Sequence, residues 1–207
     1  MVQAQMRESV KVILVIIIVM ILPTITTSAQ SKPVVRIGIY DNHPLVSLDA
    51  AGAPRGLFID LIDELASQEN WDVRFVYGVF SDNLQLLSDG KLDLIAAIAA
   101  SEEREALYDF SAESGCILWG TVYVQPKSAI QSVLDLEGKS IAIVENGIYG
   151  VELRKLLSNF NITSSITETS SQVDSLRLLI ERKVDAAVFN NAFKEPYGET
   201  EIRRTSI

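Results

Sequence analysis

Residues that could carry covalent or proton-transfer chemistry are scarce in this chain. His43 is its only histidine and Cys116 its only cysteine. A Ser-His-Asp or Cys-His site would rest on one imidazole, set in the loop Asn42-His43-Pro44 with no nucleophile elbow near it. Such catalysis needs a base within hydrogen-bond reach of its nucleophile, and the pattern offers no such pairing. One cysteine cannot close an intramolecular disulfide, and without a Cys/His cluster there is no ligand set for zinc. Conventional hydrolase chemistry is not expected, and neither is a metal or another cofactor.

Charge narrows the partners further. Asp and Glu number 27 against 18 Lys and Arg, a net −9, and no basic run is interleaved with aromatics, so nucleic acid is not an expected partner. With 207 residues, 48% hydrophobic and 22% charged, the chain can bury one large core or two small ones.

The amino terminus points out of the cytoplasm. Arg7 and Lys11 precede an apolar run, Val12 to Leu22, followed by Pro23, polar Thr24 to Ser28 and a small-residue Thr27-Ser28-Ala29 site. This order reads as a secretory signal. Its eleven apolar residues fall short of the roughly 20 needed to cross a bilayer, although Val10 and Pro23 to Ile25 could lengthen the run into a retained anchor. Residues 1–29 are thus read as signal peptide or membrane anchor, and the remainder as periplasmic or otherwise extracytoplasmic.

From Val34 onward, short apolar runs alternate with helix-period segments. Strands are expected over Val34 to Tyr40, Trp71 to Tyr77, Leu92 to Ile98, Thr121 to Val124, Ser140 to Val144, Ser164 to Thr167 and Ala186 to Phe189. Helices are expected over Leu57 to Gln68, Leu84 to Ser88, Ile130 to Leu134, Tyr149 to Phe160 and Val173 to Glu181. Such alternation implies βαβ crossovers and an α/β fold with mostly parallel sheets. One echo supports two comparable lobes: the segment from Leu84 to Ile95 resembles that from Leu176 to Ala187, each a helix end, a polar turn and Lys-apolar-Asp entering a strand. Asp93 and Asp185 then read as turn or cap residues rather than catalytic acids. Trp71 and Trp119, next to expected strands, read as core.

Doubly wound sheets bind ligands beyond the carboxyl ends of their strands, where helix N-termini present free N–H groups. The segments to search are the loops after Tyr40, Ala99, Val144 and Phe189, which bring in Asp41, Ser101 and Glu145.

Four segments together resemble the family 3 solute-binding proteins, the polar-amino-acid group of the type 2 periplasmic-binding-protein fold. They are Val35-Arg-Ile-Gly-Ile; Gly56-Leu-Phe-Ile-Asp-Leu; Asp89-Gly-Lys-Leu-Asp-Leu-Ile with Ser101-Glu-Glu-Arg-Glu and Tyr108-Asp-Phe-Ser; and Leu134-Asp-Leu-Glu-Gly-Lys-Ser-Ile-Ala-Ile. The resemblance spans about Val34 to Asn190 and implies a small polar solute, carboxylate-bearing, held in a cleft between two lobes with no chemistry done on it. It places the family's carboxylate-binding arginine on Arg104, which suits a planar guanidinium able to make two parallel charge-assisted hydrogen bonds. It places the ligand-facing backbone on Asn146, Gly147 and Ile148, and the acidic residue for an amino group on Asn190. Asn190 is a departure, since a neutral amide puts an α-ammonium group in doubt. A second departure is Leu57-Phe58 where the helix usually opens Phe-Asp, leaving Asp60 as the match. The stacking aromatic of the first loop is replaced by Leu45, which leaves Tyr40, His43 or Phe80 as substitutes.

The flavour of Tyr40-Asp-Asn-His-Pro-Leu and Trp119-Gly-Thr-Val-Tyr-Val is nearer to binding domains of membrane sensor kinases than to free transporter subunits. The partner implied is either a transporter permease or the receptor's own membrane segment. Lobe 1 is expected over 33–123, lobe 2 over 124–190, hinges near Val124 to Lys127 and near Asn190, and a truncated return over 191–207 that would leave the first-lobe sheet short of a strand. Two alternatives remain open. One is an extracytoplasmic enzyme of dehydratase or lytic type, for which only Glu145 or Asp41 offers a general acid or base; the other is a truncated paralogue that no longer binds.

Overall fold

The computed structural model describes residues 31–194 and 202–207. The segment read as a signal or anchor lies outside the described residues, and among them no helix is long and apolar enough to cross a membrane.

The first sheet is built on β1 (Val34–Ile39), whose Ile37 and Ile39 are fully buried. It pairs in parallel with β4 (Asp72–Tyr77) on one side and β5 (Leu94–Ile95) on the other, giving the order β4-β1-β5. A small hairpin of β2 (Ser47–Leu48) and β3 (Pro54–Arg55) leads into α1 (Leu57–Glu69). Helix α1 buries Ile59 and Ile62 beneath the sheet and ends at Asn70, in the left-handed conformation that stops a helix. Its start is fixed by backbone: Leu57 and Phe58 donate their N–H groups to the carbonyls of Pro44 and Leu45. Gly56 permits this approach. Its φ is 122°, and a β-carbon there would lie 2.5 Å from the Leu45 carbonyl oxygen. Gly56→Ala is therefore expected to destabilise the fold by roughly 1–3 kcal/mol, read as a lowered midpoint in urea.

Helix α2 (Phe80–Ser88) crosses back to β5, and the one-turn α3 (Glu102–Glu105) follows. The second sheet contains β6 (Gly120–Val124), β7 (Ser140–Val144), β8 (Ser165–Thr169), β9 (Ala186–Asn190) and β10 (Arg203–Arg204), in the order β10-β6-β9-β7-β8. Helices α4 (Ile148–Asn159) and α5 (Gln172–Ile180) connect its parallel strands. Alternation along the strands gives it two buried faces. Val122, Val124, Ile141, Ile143, Leu153 and Leu157 pack on one, and Tyr123, Ala142, Leu176, Leu179 and Phe189 on the other. The described residues from Lys32 onward form one compact unit.

Several expectations need correcting. Gly120–Val124 belongs to the second sheet, not the first, because it pairs antiparallel with β9 from Gly120 opposite Asn190 to Val124 opposite Ala186. The lobe boundary therefore falls before Gly120, the crossing runs through the irregular stretch between α3 and β6, and Val124 to Lys127 lies within lobe 2 rather than at a hinge. The second sheet is mixed rather than mostly parallel. The described part of the 191–207 segment makes no return to lobe 1: β10 pairs with β6, and the N–H of Val122 donates to the Ile207 carbonyl. The outer edge of β5 has no partner strand among the described residues. Trp119, expected in the core, is 55% exposed.

The internal echo is a shared device. Asp93 Oδ2 accepts the Arg36 N–H at 2.7 Å, and Asp185 Oδ2 accepts the Ser140 N–H at 2.9 Å. Each carboxylate caps the strand beside its own. Hydrogen bonds from the Arg36 side chain hold the Asp93 carboxyl down to about 2.

Candidate functional site

Arg104 stands where the two lobes meet. It is placed by α3, whose N-cap Ser101 accepts the Arg104 N–H through its hydroxyl at 3.3 Å. Its guanidinium donates to the Ala99 carbonyl at 2.8 Å and, across the lobes, to the Asn146 carbonyl at 2.8 Å. Beneath it lies the Phe80 ring, 5.2 Å from Cζ to ring centroid. Phe80 in turn packs against Tyr40, with centroids 4.8 Å apart. The Tyr40 hydroxyl donates to the Ala97 carbonyl at 2.8 Å, and burial pushes its pKa up to about 12, so it remains a donor. Burial also draws the Arg104 pKa down from its ordinary value. No carboxylate among the described residues lies within ion-pair distance of this guanidinium. The guanidinium is thus a partly buried cation over an aromatic face, with no ion-paired carboxylate among the described residues.

The surrounding cavity measures about 2190 Å³ and is lined near Arg104 by Tyr40, Asp41, Phe80, Ile148 and Tyr149. Ligand pockets usually measure about 300–1,000 Å³, and this cavity also runs over Leu61, Leu65 and Trp71 on the open side of lobe 1. The candidate site is the part beside Arg104, between the lobes.

The other anticipated residues are placed unevenly. Ala99 and Ser101 serve Arg104 itself, through a carbonyl and a cap. Asn146 offers its carbonyl rather than an N–H, and the Gly147 N–H closes a turn onto Val144 at 3.0 Å. Ile148 opens α4, where first-turn N–H groups have no intrahelical acceptor. His43 is not among the cavity-lining residues. Asn190 is fully buried and does not line the cavity; its side chain donates to Asn42 Oδ1 at 3.0 Å and accepts from the Ala192 N–H at 2.9 Å. Asn42 and Gln172, which join it, were not anticipated. A buried polar pair between loops distant in sequence leaves no pattern, although Gln172 follows the cap-like Ser170-Ser171.

Asp41 lines the cleft half-buried, and burial pushes its carboxyl up, with Asp174 adding to the rise and His43 opposing it. A raised carboxyl costs stability as pH climbs from the ordinary carboxylate value through the folded one, and that cost persists above it. Asp41→Asn is expected to raise the melting temperature at pH 7. The gain should vanish below roughly pH 4, where the acid is protonated in folded and unfolded chains alike; scanning fluorimetry across that range checks it.

The sequence model of the bacterial extracellular solute-binding proteins, family 3, matches residues 35–195. The chain belongs to this family. It is 24% identical over 153 residues to the amino-acid-binding protein AabA of Dichelobacter nodosus, covering 72% of this chain and 59% of that protein. It is 26% identical over 169 residues to a probable histidine-binding protein of Campylobacter jejuni, covering 79% and 62%. The chain thus spans about three-fifths of the length of these curated relatives. Among solved structures, an ancestral arginine-binding protein bound to arginine superposes with a TM-score of 0.75 at 22% identity, covering 84% of this chain and 79% of that one. A histidine kinase sensor domain similar to periplasmic binding proteins superposes at 0.67 with 25% identity, covering 77% and 68%. The fold is that of the type 2 periplasmic-binding proteins.

Proposed function

We propose that this chain captures a small carboxylate-bearing solute between its lobes, outside the cytoplasm, and does no chemistry on it. The observation that carries the reading is Arg104, a half-buried guanidinium on the Phe80 ring that donates to two neutral carbonyls. A carboxylate arriving there would replace the Asn146 carbonyl with a stronger, charge-assisted acceptor. The occupied cleft would then be read at the membrane by a permease or by a receptor's own membrane segment; the names of the relatives suit the first and the kinase sensor domain the second.

A thermal-shift screen of amino acids and small organic acids tests this, because a ligand bound only by the folded state must raise its melting temperature. A rise with carboxylates supports capture, and a library that leaves the melt unmoved contradicts it. The raised carboxyl of Asp41 favours a second reading, a general acid in an enzyme. Incubating each hit with the protein and following it by NMR separates the two: an unchanged solute supports capture, while conversion abolished by Asp41→Asn supports the enzyme.

A further inference from the structure

The family positions at 104 and 190 do not stand idle between the lobes; both are joined to the opposite lobe by hydrogen bonds. We propose that a neutral latch of three amide side chains, centred on Asn42, holds the lobes together without help from a ligand and also positions the platform beneath Arg104.

Asn42 belongs to the loop after β1, in lobe 1. Its Oδ1 accepts from Gln172 Nε2, at the start of α5, and from Asn190 Nδ2, at the end of β9, each at 3.0 Å. All three residues are withdrawn from water, with exposures of 7%, 8% and 0% for Asn42, Gln172 and Asn190. On its other side Asn42 donates Nδ2 to the Tyr40 hydroxyl at 3.1 Å. Tyr40 packs on Phe80, and Phe80 carries the Arg104 guanidinium. An unbroken set of contacts therefore runs from two lobe-2 amides through Asn42 to the Arg104 guanidinium, which makes Asn42 a positioning residue.

The latch and the Arg104–Asn146 contact have different fates when an anion enters. The anion competes with the Asn146 carbonyl for the guanidinium, so that bridge is exchangeable. Asn42 and Gln172 border the cavity, but Asn190 is fully buried and outside its lining, so an anion at Arg104 leaves the Asn42–Asn190 bond in place. Because no member is charged, the latch is neither screened by salt nor titrated. Closure has a built-in cost as well: Gln172 Oε1 is buried and finds no donor among the described residues. An orphaned acceptor is penalised when dry and relieved when the lobes part into water, which keeps the latch reversible.

The test uses ligand-free protein, so it does not depend on the carboxylate reading and either idea can fail alone. Spin labels at Glu69→Cys on α1 and Asn159→Cys on α4, both exposed and on opposite lobes, in a Cys116→Ser background, report the interlobe distance. The latch predicts one short, narrow distribution that added salt leaves unchanged. Asn42→Ala should shift it to longer, broader distances. Gln172→Met, which removes one donor together with the orphaned acceptor, should shift it less, and it decides the matter if Asn42→Ala gives no cooperative melt. A merely structural role would lower the melting temperature while leaving the distances in place. Unmoved distances in either folded variant, or a parent protein already open, would overturn the proposal.

Discussion

Arg104→Ala is expected to abolish the thermal shift given by any carboxylate that stabilises the parent protein. Removing one partner of a buried, hydrogen-bonded charge pair costs about 2–5 kcal/mol, which is about 30-fold to about 5,000-fold in Kd. Most of that effect should lie in dissociation. The guanidinium does two things that alanine cannot: it presents a planar fork to the anion, and it reaches across to the Asn146 carbonyl of the other lobe. Arg104→Lys keeps the charge and loses the fork, so it should recover only part of the affinity. Titration calorimetry on the three proteins checks this order. Stability of the free protein should change far less than affinity, since the hydrogen bonds of the Arg104 guanidinium within the protein go to two neutral carbonyls.

The largest effect on folding is expected at Phe189. It is fully buried in β9, stacked on Phe193 with centroids 4.1 Å apart and tilted against Tyr123 at 5.3 Å. Phe189→Ala removes a ring from a packed face and should destabilise the chain by about 3–5 kcal/mol, a large part of the margin of a typical domain. Chemical denaturation followed by circular dichroism reads it. The substitution also loosens the strand whose next residue, Asn190, meets Asn42, so interlobe contact and stability should fall together in this variant.

Local pattern carried most of the fold. β-branched runs placed β1 and β7, and apolar spacing placed α1, α4 and α5 to within a residue or so. What escaped was pairing. Thr121 to Val124 reads as a strand in any sheet, and only its partnership with Ala186–Asn190, far along the chain, assigns it to the second. For the same reason the last residues gave no sign that Arg203–Arg204 would add an edge strand to β6. The one-turn α3 that presents Arg104 is too short for periodicity to reveal, so Arg104 was reached through resemblance alone. Asn190 was assigned to a ligand by the same resemblance, yet its amide is occupied within the protein. Its partner Asn42 is 148 positions away in the chain, and Gln172, which also donates to Asn42, is 130 from it; a hydrogen bond between distant side chains has no sequence signature.

The most direct test of the central claim is titration of the protein with a carboxylate found by the screen and, in parallel, with its primary amide, a neutral analogue of nearly the same shape. Capture by Arg104 predicts saturable binding of the acid, at least tenfold weaker binding of the amide, and loss of this preference in Arg104→Ala. Equal affinity for acid and amide, or a preference that survives the substitution, would contradict it.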